Sequence, residues 1–573
     1  MEDVVGLFDA LSNPHVAPRS RRRAVISIVT AAVVAALPGC GSDSAPADGT
    51  ATAESGPAEG SSSAPAEESD GTGDSTAATE PPSDGSATGA PAPGLAPASG
   101  VAILSVDANQ GVAVPIGRDG TGVPGDERKN RLLGGRPMQI RAVAALEPSF
   151  TPRTVEAHLL LTYPDDTKER VVSTRAMPGD ETIVDGVSTE GFTWLLEGKR
   201  VVPGMRYAIE LYEHDVVADA NDAAPPYYPP LDGVPIAVGV EAVNQRIAVT
   251  LVPVRYDNGH GCATEVEISD ASASYLEHML YMQHPVTEVE FTVREPLSVS
   301  TELFDLATLL NLVSQQRALD GASTETYYFG WIEDCEGTVL DSTGLGGLAP
   351  VPTEFTPETA YLRVAVGKWG PGLEHLGDTL VHELGHAQGR KHAICRGDEA
   401  NPDLSYPIAG GELDVAGFGV IDGITRDVAS YADMMSYCQP RWTSAYGWTL
   451  VEPVIRELSS WSMQDAVGSA DASAVLIGTL TGAGVTHWMT LPGKPPRARA
   501  DAATHAISFA YPDGRVDEVT ATVVDLGDSD AKWLVAPLPD DFALATDLAH
   551  HHQGRVARIE PTAVHQIHLR SPR

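Results

Sequence analysis

Basic residues are scarce in this chain. It carries 38 Lys and Arg against 78 Asp and Glu over 573 residues, a formal net charge of −40. A surface this acidic repels phosphate backbones, which argues against nucleic acid as a partner. The charge favours solubility and says little about fold. Cysteine is scarce as well: there are five, with no C-x-x-C pair among them. That removes the usual pattern of a cysteine-ligated structural zinc site. Long apolar runs are missing too. The uncharged stretch Ala24 to Leu37 is too short to cross a bilayer as a stable helix. Glycine-aspartate calcium repeats are also absent. What remains is a chain with 42% hydrophobic residues, enough to build cores and long enough for several domains.

The short apolar stretch has the length of a signal-peptide core, and Arg19, Arg21, Arg22 and Arg23 supply the basic flank before it. Leu37-Pro38-Gly39-Cys40 follows. It resembles a bacterial lipobox, with Pro38 where a small or aliphatic residue is usual. Ser20-Arg21-Arg22 weakly resembles a twin-arginine export signal. The resemblance implies an exported lipoprotein whose signal peptide is 1–40. Its lipid anchor on Cys40 would hold it at the cell surface or the periplasmic membrane face. Without lipid on Cys40 the protein would be secreted. Residues 41–100 are almost wholly Ser, Ala, Gly, Pro, Thr, Asp and Glu. Such a segment cannot bury enough apolar surface to offset ordering entropy, and reads as a flexible acidic tether.

From residue 101 the pattern turns to short alternating runs. Met138 to Val143, Val155 to Tyr163 and Tyr207 to Tyr212 are separated by turn signals such as Pro164-Asp165-Asp166 and Pro203-Gly204. This predicts an all-β sandwich over 101–245. The module is read as a spacer, with a pro-region occluding a catalytic site as the alternative. The proline-rich stretch at 225–230 marks a linker.

A different order follows. Arg246 to Tyr256 reads as a strand and Ser269 to Gln283 as a helix with Asp270 as candidate N-cap. Val289 to Val293 reads as a strand and Thr301 to Leu319 as a helix ended before Gly321. Thr326 to Ile332 and Tyr361 to Val366 read as strands, and Leu373 to Gln388 as a further helix.

That last helix ends in His382-Glu383-Leu384-Gly385-His386-Ala387-Gln388-Gly389-Arg390-Lys391-His392, which is H-E-x-x-H-x-x-G-x-x-H. His382 and His386 lie four apart, so on a helix they share one face. Two imidazoles so placed can bind one zinc ion. Glu383 stands beside the first ligand, where its carboxylate can take a proton from an attacking water. Gly389 permits the left-handed turn that would end the helix and bring His392 back to the same ion. Three protein ligands leave a fourth position open, the pattern of a catalytic rather than a structural zinc site.

The string is similar to the extended motif of the metzincin clan of zinc peptidases at every defining position. Asp433-Met434-Met435-Ser436-Tyr437-Cys438 resembles the methionine-containing turn of that clan, with Met435 as the turn methionine. Tyr437 then matches the tyrosine that astacin-like and serralysin-like members use as a fifth ligand or transition-state donor. The likeness covers roughly 246–455 and implies a metalloendopeptidase with one catalytic zinc ion. Its fold class is α+β: a metzincin-like catalytic domain, mixed sheet plus active-site helix, flanked by all-β sandwich-like domains at 101–245 and 456–573. Trp442, Tyr446 and Trp448 then read as core of the lower subdomain.

With Cys40 set aside, four cysteines outside the cytoplasm imply two disulfides and allow three connectivities. Cys395–Cys438 is the pairing chosen, because one partner follows the third ligand and the other follows the methionine turn. Cys262–Cys335 is then left. His550-His551-His552 could bind a metal but reads better as a solvated run. The expected function is hydrolysis of peptide bonds in extracellular proteins or peptides. Two alternatives stay open: a zinc-binding surface adhesin without turnover, and a zinc hydrolase of a non-peptide substrate. No oligomeric interface is legible.

Overall fold

The computed structural model describes residues 94–565 and the short strand Ala87–Thr88, apart from stretches within 178–190, 220–223, 231–233, 339–343, 463–472 and 499–504 and a few single positions. The expected signal peptide, Cys40 and nearly all of the tether lie outside the described residues. Among those described, no helix is long and apolar enough to cross a membrane. The fold is mixed α+β, rich in strands and poor in helices.

The first region uses strands β1 (Val101–Asn109), β2 (Ala113–Arg118), β3 (Met138–Leu146), β4 (Arg153–Thr162), β5 (Lys168–Met177), β6 (Phe192–Leu196) and β7 (Arg206–Val217). They form two antiparallel sheets, one running β5-β4-β7 and the other built on β3, β1 and β2. In β3 buried and half-buried residues alternate over most of its length, because successive side chains of a strand point to opposite faces. Ile140, Ala142, Leu159, Leu161, Tyr207 and Ile209 fill the one core that the two sheets share. This is the sandwich expected from the sequence.

The central region is a sheet with mostly parallel strands. β8 (Arg246–Asp257) is followed by α1 (Asp270–Gln283), β9 (Glu288–Val293), β10 (Leu297–Val299), α2 (Leu306–Leu319), β11 (Tyr327–Ile332), β12 (Gly347–Leu348), β13 (Pro350–Val351), β14 (Val364–Lys368) and α3 (Leu373–Ala387). β9, β8, β11 and β14 lie side by side in parallel, and β12 closes the edge antiparallel to β14. All six residues of β11 are buried, as a parallel strand covered on both faces requires. α1 and α3 share a core with the faces of β8 and β11, through Leu276, Leu280, Leu376, Leu380 and Leu384.

Three boundaries differ from the sequence reading. Ser269, not Asp270, caps α1, its hydroxyl accepting from the Ser272 amide at 3.2 Å. α2 begins at Leu306 because the Asp305 carboxylate accepts from the Thr308 amide at 2.8 Å. Residues 357–362 form a 3-10 turn, with Pro357 at its first position, and the strand starts only at Val364; proline there suits a helical turn and cannot donate to a ladder.

After the irregular segment 388–444, α4 (Ala445–Ser462) runs past residue 455. Then come β15 (Ala474–Thr481), β16 (Gly484–Pro492), β17 (His505–Ala510), β18 (Val516–Leu526), β19 (Lys532–Pro537), β20 (Asp547–His552) and β21 (Arg555–Ile559). They join one nine-stranded sheet, to which the central region contributes β13. A small sandwich appended to the catalytic region was expected over 456–573; instead the strands form one sheet that the central region shares, and the alternation shows how. Leu476, Trp488 and Leu534 turn to a core of their own with Ile507 and Phe509, whereas Val475, Ile477, Met489 and Trp533 turn to the core of α2. His550 is buried against His505, with ring nitrogens 2.9 Å apart, and so is not part of a solvated run.

Of the aromatic residues after the turn, Trp442 packs with Leu413 and Phe418, its indole N–H donating to the Gly111 carbonyl at 2.8 Å. Trp448 on α4 enters the core of the first sandwich instead. Gly111 faces it so closely that a Cβ there would lie 2.4 Å from the indole. Trp448→Ala should therefore lower stability by about 3–5 kcal/mol, read as an earlier urea midpoint.

Candidate metal centre

α3 is placed by burial, and burial decides which of its faces carries the paired histidines. Leu376, Leu380 and Leu384 face the sheet core, while His382 and His386, one turn apart, point together to the opposite side. At the helix end Gly389 takes φ +86°. Its amide donates to the His386 carbonyl at 2.8 Å, and the Arg390 amide returns to the Gly385 carbonyl at 3.0 Å. A Cβ at Gly389 would also lie 2.8 Å from the Pro352 carbonyl oxygen, so glycine is needed for both conformation and space. The reversed chain carries His392 back to the other two. The His386 and His392 Nε2 atoms are 3.0 Å apart, and those of His382 and His392 are 3.2 Å apart.

These approaches are not hydrogen bonds. Each ring spends its Nδ1 proton on a backbone carbonyl: His382 donates to Met434 and His386 to Arg390, both at 2.8 Å, and His392 to Ala400. A neutral imidazole has one N–H, so all three Nε2 atoms present lone pairs to one another. Three lone pairs in van der Waals contact repel unless a cation lies among them. Burial holds His382 and His386 neutral, pushing His386 down to about 4, as metal ligands must be. The donor set fits a single Zn²⁺ ion.

A fourth group faces the same point, and the sequence reading did not anticipate it. Asp528 lies in the loop between β18 and β19. Its Oδ1 is 3.2 Å from His392 Nε2, and its Oδ2 is 3.3 Å from His386 Nε2 and 3.5 Å from His382 Nε2. Among the described residues, His382, His386, His392 and Asp528 form the buried cluster able to hold a metal ion. No described residue of 101–245 belongs to it, and the acidic side chain in the cluster comes from the other flank of the chain. A turn reading of Gly527-Asp528-Ser529 was available from the sequence, but not its meeting with residues 91 and more positions away.

Glu383 is buried beside this cluster without being one of its ligands. Burial first, and then the neighbouring Asp528 carboxylate, push it well above the ordinary range, and its Oε2 has no hydrogen-bond partner. The edge strand β12 closes over it: a Cβ at Gly347 would lie 2.4 Å from Glu383 Oε1. Tyr437 packs its ring against His392, centroids 4.6 Å apart and planes tilted by 54°, and donates its hydroxyl to Asp528 Oδ1 at 2.6 Å. Met435 is buried under α3, where a Cβ on Gly385 would fall 2.4 Å from its sulfur.

The turn that carries Met435 is held by Asp433, which is fully buried. Its carboxylate pairs with Arg390 at 2.8 Å, accepts from the Met435 amide at 2.8 Å and accepts from the Ser444 hydroxyl. Both disulfides form in the chosen pairing, Cys262–Cys335 and Cys395–Cys438. No protein-family model matches the chain, and no curated protein matches it in sequence.

Cys395–Cys438 closes 43 residues of chain between the third histidine and the turn. Replacing both by serine should cost about 4 kcal/mol by loop entropy and weaken zinc retention, checked by thermal melting and by zinc content after dialysis. A second expectation concerns acid. His284, fully buried, donates to Gln388 at the end of α3, and burial lowers its pKa to about 3. The unfolded chain protonates this ring near 6.5 while the folded chain does not. Stability should therefore fall as pH drops from about 6.5 toward 3, and His284→Gln should flatten that part of a melting-temperature profile of the chelator-treated protein.

Proposed function

We propose that this protein is a zinc-dependent endopeptidase of the metzincin type. What carries the reading is the convergence of three Nε2 lone pairs beside a buried, unpartnered Glu383 carboxyl oxygen. His382, His386 and His392 would hold one Zn²⁺. The ion would supply Lewis-acid polarisation of a scissile carbonyl and the activation of water near neutral pH. Glu383 accepts the proton of the attacking water and passes it to the leaving amine nitrogen. Tyr437 lies against His392 with its hydroxyl at the cluster, placed to donate a hydrogen bond to a developing oxyanion once Asp528 is elsewhere. Met435 shapes the floor under α3. The substrate would be an extended peptide added along the edge of β12 and β13, where residues 525–527 lie in this structure. Export with a lipid on Cys40 remains part of this proposal.

A second reading has its own observation. Asp528 completes a four-ligand set with no place for water, the pattern of a structural zinc site. On that reading the protein is a zinc-stabilised surface module without turnover.

The full chain should hold one zinc per molecule. Glu383→Gln should keep that zinc and lower cleavage of a mixed peptide library by about 10²–10⁴-fold, and a chelator should do the same to the parent. Undiminished cleavage in Glu383→Gln would overturn the mechanism.

A further inference from the structure

We infer that Asp528 is a built-in fourth ligand of the metal, so that the β18–β19 loop keeps the enzyme latent until that loop is withdrawn; the consequence for activity rests on the peptidase reading above. The loop is not resting on the site by chance. Gly527 approaches His386 so closely that a Cβ would lie 2.3 Å from the ring. Its amide donates to the Ala349 carbonyl at 2.8 Å, and Leu526 and Asp525 pair with Pro350 and Val351 of β13. Residues 525–527 thus run antiparallel along the edge that adjoins Glu383, which is how an extended peptide adds to a sheet.

A separate latch holds the tip. Asn401, next to the segment that carries His392, donates its amide nitrogen toward the carbonyls of Leu526, Gly527 and Ser529 at 2.8, 3.0 and 3.2 Å. Tyr437 fixes one Asp528 oxygen at 2.6 Å. The other oxygen has no hydrogen-bond donor at all, although it is buried. An unsatisfied carboxylate oxygen facing the nitrogen lone pairs of His382 and His386 is costly without a cation and favourable with one. Zn²⁺ takes carboxylate oxygen as readily as it takes imidazole.

With Asp528 in the fourth position, the water that Glu383 must deprotonate has no seat. Removing Asp528 leaves three histidines, a sufficient set for zinc, and frees the Tyr437 hydroxyl.

The test uses the full chain, Asp528→Ala and Asp528→Asn, each loaded with zinc. Asp528→Asn keeps the volume and the Tyr437 hydrogen bond, so it guards against a folding failure in the alanine variant. Zinc per molecule, binding of acetohydroxamate by calorimetry, and cleavage of a mixed peptide library are read on all three. Both variants should retain zinc. Asp528→Ala should bind acetohydroxamate at least about tenfold more tightly than the parent and cleave peptides at least about tenfold faster, with Asp528→Asn between. Equal acetohydroxamate affinity in all three would overturn the ligand assignment. Tighter binding in the variants without any peptide cleavage would keep Asp528 as a ligand and sink the peptidase reading. Equal cleavage in all three, abolished by Glu383→Gln, would keep the peptidase and sink the latch.

Discussion

The site depends on where three imidazole protons go. An imidazole offers a metal one lone pair only if its other nitrogen holds the proton, and only a fixed acceptor can keep it there. Here each acceptor is a main-chain carbonyl, of Met434, Arg390 or Ala400. Carbonyls cannot change rotamer, so the tautomers and ring planes are set by the path of the backbone. The demands on the rest of the structure follow. The methionine turn must pass beside His382, the chain after α3 must reverse sharply over His386, and the loop after His392 must fold back on that residue.

Those paths are held by groups away from the three histidines. The buried Arg390–Asp433 pair joins the reversal to the methionine turn. A buried ion pair is weak evidence for stability, because desolvation offsets much of its attraction, yet breaking one side is strongly destabilising. Here its effect is to tie two of the three carbonyl acceptors into one network. Arg390 supplies the acceptor for His386, and Asp433 receives the Met435 amide next to the acceptor for His382. Gly385 and Gly389 remove the Cβ atoms that would push the turn and the reversal away. The Cys395–Cys438 disulfide ties the same two segments covalently.

What was legible in the sequence was local. The His382–His392 string reads correctly as a helix end, a glycine reversal and a returning histidine because its geometry is set within eleven consecutive residues by helix periodicity and one positive φ. The core strands were legible from alternation or from unbroken apolar runs, as at Met138 to Leu146 and Tyr327 to Ile332. Element starts were less so. Asp305 caps α2, so the helix starts later than the expected Thr301, and Pro357 imposed a 3-10 turn where Tyr361 to Val366 read as strand. Asp528 was illegible for a different reason. A carboxylate at a hairpin tip looks like a solvated turn residue. Its role comes from which side of a nine-stranded sheet packs on α2, which no local pattern encodes.

That packing also decides how the site could open. The face of β15, β16 and β19 that carries Val475, Ile477, Met489, Leu491 and Trp533 shares a core with α2 and β14. Peeling the sheet away would return these side chains to water at about 1.5–3 kcal/mol each, a sum comparable to the whole stability of a domain. Withdrawing the tip alone breaks the Gly527, Asn401 and Tyr437 hydrogen bonds, each worth about 1 kcal/mol net, together with whatever Asp528 gains from the ion. The local movement is therefore the cheaper one by a wide margin. The C-terminal sheet acts as a fixed mount, and the part that yields is the short turn around Asp528, where Asp530 is already exposed.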